Sequence, residues 1–323
     1  MLVKNLLEKE GIEVAGAVHS CTVLIAHDTR PSGPRLADAA AAGVRCMGLQ
    51  PQLLGLLTTP QLHWAVMKRN LDLPCDEPAY CAELAAAFEQ LVAGTMVPAG
   101  ALHVDCANGV GAPKLATLAP LLRRAGLELD LRNTGSGVLN DSCGSDYLHK
   151  DRQLPEGFGD LAHGTRCCSL DGDADRLMYF TPAAGTPGHA LLLDGDRIAT
   201  LAALLLRDLL AALPPNARDS TSLGIVQTAY ANGSASQYVR EQLGCAVAVT
   251  PTGVKYLHEA AHRFDLGVYF EANGHGTVLL SKKFLARMEQ VGLRRKGVNN
   301  LANQSHSRSF YLLRHVPAAA GPQ

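Results

Sequence analysis

The sequence predicts an α/β protein of repeated, mixed but mainly parallel sheets flanked by helices, and three observations carry that expectation. Short apolar runs of strand length alternate with helical runs along most of the 323 residues. The strand-like runs are apolar nearly throughout, as strands covered on both faces are. Each ends in a polar or glycine-bearing turn. With 47% hydrophobic residues, the chain can fill a core in each of two or three domains.

The elements follow in order. "CTVLIAHDTR" (21–30) reads as a strand running into polar residues, and "PRLADAAAAGVRCMG" (34–48) as the helix after it. "NLDLPCDEPAY" (70–80) is a Pro- and acid-rich break before the helical "CAELAAAFEQLVAG". Residues 101–126 repeat the strand, glycine turn and helix, with Gly126 as C-cap. "LELDLRN" (127–133) and "RCCSL" (166–170) are the next strands, and "TPAAGTPGHA" (181–190) is a turn between "LMYF" and "LLLDGD". "LGIVQTAY", "CAVAVTPTG" and "LGVYFEANG" are three strand-plus-turn segments, the first two followed by the helical "SQYVREQLG" and "VKYLHEAAHRF". Domains are expected at 1–75, 76–190 and 191–285. From 286 to 323 the chain reads as a divergent, disordered tail, because no acidic residue follows Glu289 and no period is sustained.

A net charge of −1 offers no field to draw in nucleic acid or an anionic membrane, so neither is expected as a partner. No basic-then-apolar leader opens the chain, and no apolar run approaches the roughly 18 residues of a membrane span. The longest, "RIATLAALLLRDLLAAL" (197–213), is broken by Arg207 and Asp208. Nine cysteines at irregular spacing, two of them adjacent, point to a reduced cytoplasmic protein rather than a disulfide framework.

"CCSLDGDADRLMYF" (167–180) places Asp171, Asp173 and Asp175 at alternate positions after a buried strand, followed at once by Arg176. In an extended or turning loop the i, i+2, i+4 spacing lets three carboxylates converge, whereas a helix would spread them. Bare convergence is costly. A hard divalent cation removes the cost, and an oxygen-only set favours Mg²⁺, Mn²⁺ or Ca²⁺. A solvated acidic turn is the bland alternative. An EF-hand is excluded, since it needs Gly and Glu where Arg176 and Pro182 stand. A dehalogenase-type phosphatase with Asp171 as nucleophile stays open as an alternative, although Asp175 and the later "DGDRIAT" suit it poorly.

Two further turns are candidates. "FEANGHG" (270–276) sets Glu271, Asn273 and His275 in a glycine-rich turn suited to a polyhydroxylated ligand, with Gly274 allowing close backbone approach. "TPTGVKY" (250–256) places Gly253 and Lys255 at a strand-to-helix junction where free N–H groups face an anion. Thr252 reads equally well as a plain N-cap there.

Taken together, "SLDGDADR", "QTAYANGS", "TPTGVK" and "FEANGHG", in this order, resemble the α-D-phosphohexomutase superfamily over residues 20–285. "HDTRPSG" and "GLLTTPQLH" resemble its branch acting on N-acetylglucosamine phosphates. The resemblance implies domains 1 to 3 of that fold, the first clipped. It also implies interconversion of N-acetylglucosamine 6-phosphate and 1-phosphate on the route to UDP-N-acetylglucosamine, by an intramolecular phosphotransferase (isomerase). Asp171, Asp173 and Asp175 become Mg²⁺ ligands and Arg176 lies near the transferring phosphoryl, with Arg30 and Lys255 as further active-site cations. Glu271, Ala272, Asn273, Gly274 and His275 become the sugar-binding turn, joined by Thr252 and Gly253. The partner implied is a small-molecule sugar phosphate.

Two parts of the pattern are absent. No Thr-Ala-Ser-His-Asn-Pro serine loop precedes "CTVLIAHDTR", and "RPSG" at 30–33 continues with Pro34 where the phosphate clamp has Thr. The expectation is an incomplete form, inactive alone for want of its phosphoserine. The alternative is a non-catalytic remnant that binds sugar phosphate or Mg²⁺.

Overall fold

The computed structural model describes residues 21–94 and 97–290. The chain divides into two compact units, Met1–Leu57 and Thr58–Gln323. In the first, β1 (Thr22–His27) pairs parallel with β2 (Gln50–Leu56) across helix α1 (Gly33–Cys46). β2 was not expected from the sequence: Gly55 near its end and its exposed Leu53 and Leu56 blur the strand pattern.

The second unit opens on α2 (Thr59–Asn70), whose start is a reciprocal capping box between Thr58 and Gln61. α3 (Glu77–Val92) follows, with Asp76 accepting from the Ala79 N–H and a proline in its first turn. The acidic, Pro-bearing break read from sequence is therefore in part the helix's own N-terminus.

A five-stranded sheet comes next: β3 (Leu102–Asp105), β4 (Leu129–Arg132), β5 (Cys167–Leu170), β6 (Leu177–Pro182) and β7 (Ala190–Leu193) in the order β4-β3-β5-β6-β7. β3 runs parallel to β4 and β5, while β6 and β7 return antiparallel, giving the mixed sheet expected. Helices α4 (Gly111–Arg124) and α5 (Ser145–Asp151) belong to this part of the chain. The adjacent cysteines show why β5 is apolar on both sides. Cys167 packs with Leu148, Phe158 and Phe180 on one face, and Cys168 with Val104, Cys106 and Ala112 on the other.

After α6 (Gly195–Ala211) and α7 (Pro215–Asp219) a four-stranded sheet has the order β11-β10-β8-β9. Its strands are β8 (Leu223–Thr228), β9 (Ala246–Thr250), β10 (Leu266–Phe270) and β11 (Gly276–Leu280). β9, β8 and β10 are parallel and β11 antiparallel. α8 (Gly233–Glu241) and α9 (Val254–Ala261) connect them. Ile225 and Val268 face a core with Ala203, Leu206 and Phe284, while Val226 and Tyr269 face Leu257 and Ala261. The boundary expected at 285 falls inside α10 (Lys282–Gln290), because Phe284 and Met288 are buried in that core and hold the helix to the sheet. The rest of the expected tail, residues 291–323, lies outside the described residues, as do residues 1–20 where the serine loop was sought.

All nine cysteines are free thiols, as expected. Among the described residues no helix is long and apolar enough to cross a membrane.

Candidate metal centre

Parallel strands bring the loops at their carboxyl ends to one edge of a sheet, and in open α/β sheets ligands bind at that edge. β5 delivers the acidic loop there, beside the end of β3. The loop is shaped by its own backbone. Asp171 Oδ1 accepts from the N–H groups of Asp175 and Arg176 at 3.1 and 3.2 Å, and Ala174 takes a left-handed φ of 56°. Two other segments brace it: Val110 N–H donates to the Gly172 carbonyl at 3.1 Å, and Thr59 holds Asp173 twice. The Thr59 N–H donates to the Asp173 carbonyl at 3.1 Å and its hydroxyl to Oδ2 at 2.7 Å.

The result is the convergence expected from the spacing. One ligand oxygen from each of Asp171, Asp173 and Asp175 lies within 4.8 Å of the others. Burial, and then the neighbouring Asp175 and Asp173, push the Asp171 carboxyl up to about 7 against the opposing pull of Arg176. Burial also acts to raise Asp175, but its hydrogen bond and charge contact with His275, together with Arg176, bring it below the usual carboxylate range. Arg176 is shared among three acids. Its Nη1 donates to Asp146 at 2.7 Å, while its Nε sits 3.6 Å from Asp171 and 3.8 Å from Asp175, buried and without a hydrogen bond. One guanidinium therefore leaves the carboxylate oxygens under-neutralised, and an oxygen-only set of this kind suits a hard cation such as Mg²⁺.

The glycine-rich turn meets this loop directly. Arg176 and His275 form an antiparallel bridge, Leu177 N–H donates to the Gly274 carbonyl at 3.2 Å, and His275 Nδ1 lies 3.2 Å from Asp175 Oδ2. The hydrogen bond to Asp175 raises the His275 pKa despite its burial. The turn closes with Gly274 N–H donating to the Glu271 carbonyl at 3.0 Å and Glu271 N–H to the His275 carbonyl at 2.8 Å. Two close approaches demand glycine. A Cβ on Gly274, where φ is 92°, would stand 2.3 Å from the Leu177 oxygen, and one on Gly195 would stand 1.8 Å from the Glu271 oxygen. Gly195 N–H also donates to the Ala272 carbonyl at 3.2 Å. Asn273 turns inward: its Oδ1 accepts from the His275 N–H at 3.1 Å. The half-buried Glu271 carboxylate makes no hydrogen bond or ion pair with the described residues and stays available.

The other expected residues are placed differently. Thr252 is exposed and is not the N-cap of α9; Gly253 holds that position without a side-chain bond, because the strand-to-helix turn extends one residue further than the sequence suggested. Lys255 Nζ lies 4.9 Å over the Tyr256 ring, and neither it nor Thr252 hydrogen-bonds or ion-pairs with the three aspartates. They do share a sheet edge with the Glu271 turn, since β9, β8 and β10 are parallel. Arg30, in the first unit, is exposed and pairs with Asp28.

Four contributors escaped sequence reading: Thr59, Asp146, Asp105 and Asp196. Asp105, fully buried at the end of β3, accepts from Ala107 N–H at 3.1 Å, Asn133 Nδ2 at 2.8 Å, Gly144 N–H at 2.7 Å and the Ser169 hydroxyl at 2.6 Å. Asp196 accepts from Asn232 N–H at 2.9 Å and ties α6 to the turn after β8. The signal available for both was a lone Asp at a strand or helix end, which turns supply everywhere.

Comparison with known proteins adds an independent line. Residues 2–76 match the family model for phosphoglucomutase/phosphomannomutase, alpha/beta/alpha domain I. Residues 75–178 match phosphoacetylglucosamine mutase AMG1, domain II, and residues 194–315 match its domain III. The phosphoacetylglucosamine mutase of Oryza sativa subsp. japonica is 41% identical over 308 residues, covering 90% of this chain and 53% of that protein. The human protein of that name is 41% identical over 293 residues, covering 88% and 52%. The solved structure of Aspergillus fumigatus N-acetylphosphoglucosamine mutase in complex with GlcNAc-6P and magnesium superposes with a TM-score of 0.83 at 38% identity, over 97% of this chain and 61% of that one. The chain thus spans about half the length of the curated relatives it matches.

Proposed function

Because this chain belongs to the phosphoacetylglucosamine mutase family, we propose that its acidic loop and glycine-rich turn serve the interconversion of N-acetylglucosamine 6-phosphate and 1-phosphate, in the cytoplasm. The observation that carries the reading is the convergence of Asp171, Asp173 and Asp175 in a loop bonded, through Asp175, to the turn bearing Glu271.

In this reading Asp171, Asp173 and Asp175 hold Mg²⁺, braced from behind by Thr59 and Val110. When bound, the ion neutralises charge that develops on a phosphoryl group in transfer. Arg176, anchored by Asp146, presents its remaining N–H groups to the same phosphoryl oxygens. Glu271 accepts from sugar hydroxyls, and His275 fixes the turn's distance from the acidic loop. Asn273, Ala272 and Gly274 set the shape of the turn around the sugar, Asn273 Oδ1 accepting from the His275 N–H and the Gly274 N–H donating to the Glu271 carbonyl. Thr252, Gly253 and Lys255, on the same sheet edge, and Arg30 in the first unit serve as sites for the substrate's phosphate. Three successive α/β domains follow in this reading, at 1–75, 76–190 and from 191 to the end of α10, whose Phe284 and Met288 belong to the third core.

Residues 1–323 contain no Thr-Ala-Ser-His-Asn-Pro run, the serine donor that the family chemistry requires. On their own these residues are therefore expected to bind metal and sugar phosphate without turnover. The test incubates the chain with N-acetylglucosamine 6-phosphate, Mg²⁺ and a catalytic amount of the 1,6-bisphosphate, and follows binding by calorimetry and products by NMR. Mg²⁺-dependent binding with no 1-phosphate supports the reading, and loss of both kinds of binding refutes it. Free phosphate abolished by Asp171→Asn would instead favour the phosphatase.

A further inference from the structure

Away from the acidic loop, two imidazoles meet at the end of α9. His258 and His262 are four apart in sequence, the spacing that stacks side chains on one face of a helix. Their Nε2 atoms lie 3.0 Å apart, with ring centroids separated by 4.6 Å and ring planes at 83°. The run His258-Glu259-Ala260-Ala261-His262 has the H-E-x-x-H form in which two histidines on one helix face bind zinc. Two metal–nitrogen bonds of about 2.0–2.1 Å span about 2.9 Å at a right angle and about 3.3 Å at the tetrahedral angle. The observed separation falls between these values.

We propose that His258 and His262 chelate one borderline divalent cation, Zn²⁺ or Cu²⁺, at a site separate from the oxygen-only acidic loop. Imidazole nitrogen suits these ions, whereas carboxylate oxygen suits Mg²⁺. The buried Tyr269 hydroxyl lies 3.1 Å from His258 Nδ1, which orients the ring and leaves Nε2 directed at His262. Outer partners of metal-binding histidines act in this way. Burial, and then the neighbouring His262, lower the His258 pKa, which favours the neutral ring that a metal requires. His262 is exposed, which gives an ion an entry path and leaves room for water to complete the shell. Among the described residues the acidic loop alone gathers three or more ligand-type side chains, so this is a two-histidine site and not a protease-type centre. Without metal, the pair shares one N–H···N hydrogen bond.

The test measures Zn²⁺ binding to the tag-free full chain by competition with a chromophoric chelator, with Mg²⁺ saturating. The exposed Cys21 and Cys46 thiols are alkylated beforehand so that they cannot compete. Wild type is expected to take up one equivalent, and His262→Gln to weaken it by at least about tenfold. Because His262 is exposed, that variant should keep the circular dichroism spectrum and the Mg²⁺ affinity of wild type. His258→Gln should weaken Zn²⁺ equally. Bound Cu²⁺ should show hyperfine coupling to two imidazole nitrogens in wild type and to one in His262→Gln. Unchanged Zn²⁺ affinity in a folded His262→Gln chain, or no uptake by wild type, would overturn the assignment.

Discussion

Asp175 Oδ2 and His275 Nδ1 lie 3.2 Å apart, and this side-chain contact joins the acidic loop at the end of β5 to the turn after β10, beside the backbone bridge between Arg176 and His275. It links the elements proposed for metal and for sugar across two different sheets. Replacing His275 with Ala is expected to weaken N-acetylglucosamine 6-phosphate binding roughly tenfold, the cost of a lost charge-assisted hydrogen bond of about 1.5 kcal/mol. Calorimetry on both chains checks it, and equal affinities would mean the contact carries no coupling.

Asp173 is held by Thr59 and offers one carboxylate oxygen to the cluster. Asp173→Asn should lower Mn²⁺ affinity by roughly 10–100-fold while leaving the metal-free melting temperature within a few degrees. Electron paramagnetic resonance titration reads the affinity directly.

Buried Asp105 has four donors and no cation among its hydrogen-bond partners. Asp105→Asn turns an amide donor toward at least one of those donors and should destabilise the fold by about 1–3 kcal/mol. Ser169→Ala, which removes only the 2.6 Å hydroxyl bond, should cost about 1 kcal/mol. Urea unfolding of the two variants orders these costs, and a reversed order would count against Asp105 as the hub.

Gly195→Ala would place its methyl 1.8 Å from the Glu271 carbonyl oxygen. The backbone of α6 or of the turn must move, at roughly 1–3 kcal/mol or more. The expected outcome is a lower melting temperature together with weakened sugar-phosphate binding and a smaller loss of Mn²⁺ affinity, since the bonds of the acidic loop to Thr59 and Val110 do not involve the turn.

Asp265 supplies a pH dependence. Burial acts to raise its pKa, but hydrogen bonds from the Ser222 N–H and the Ser281 hydroxyl, with Arg287 nearby, bring it below the usual carboxylate range. A folded pKa below the unfolded value of about 3.9 adds stability that is complete above that value and lost as pH falls through the folded pKa. The stability gap between wild type and Asp265→Asn should therefore be constant above about pH 5 and shrink below about pH 4. A gap independent of pH would remove Asp265 from this role.

Much of the fold was legible because strands covered on both faces leave a strong signature. "RCCSL", "LGIVQTAY" and "LGVYFEANG" each became the strand expected. β2, α2 and β11 were not anticipated, since Gly55, the proline in the first turn of α2 and the glycine that opens β11 interrupt the apolar pattern. The acidic loop was legible for a local reason: alternate spacing after a strand converges whatever the surroundings are.

The sequence by itself determined the α/β class and the meeting of Asp171, Asp173 and Asp175, because both follow from residues adjacent in the chain. Only the tertiary structure decided what those aspartates face. Asp173 meets Thr59 from 114 positions away, Asp175 meets His275, and Gly195 meets the Glu271 carbonyl. No periodicity encodes such contacts. They arise where parallel strands far apart in sequence end at a common edge, and the packing of the two sheets selects which side chains touch.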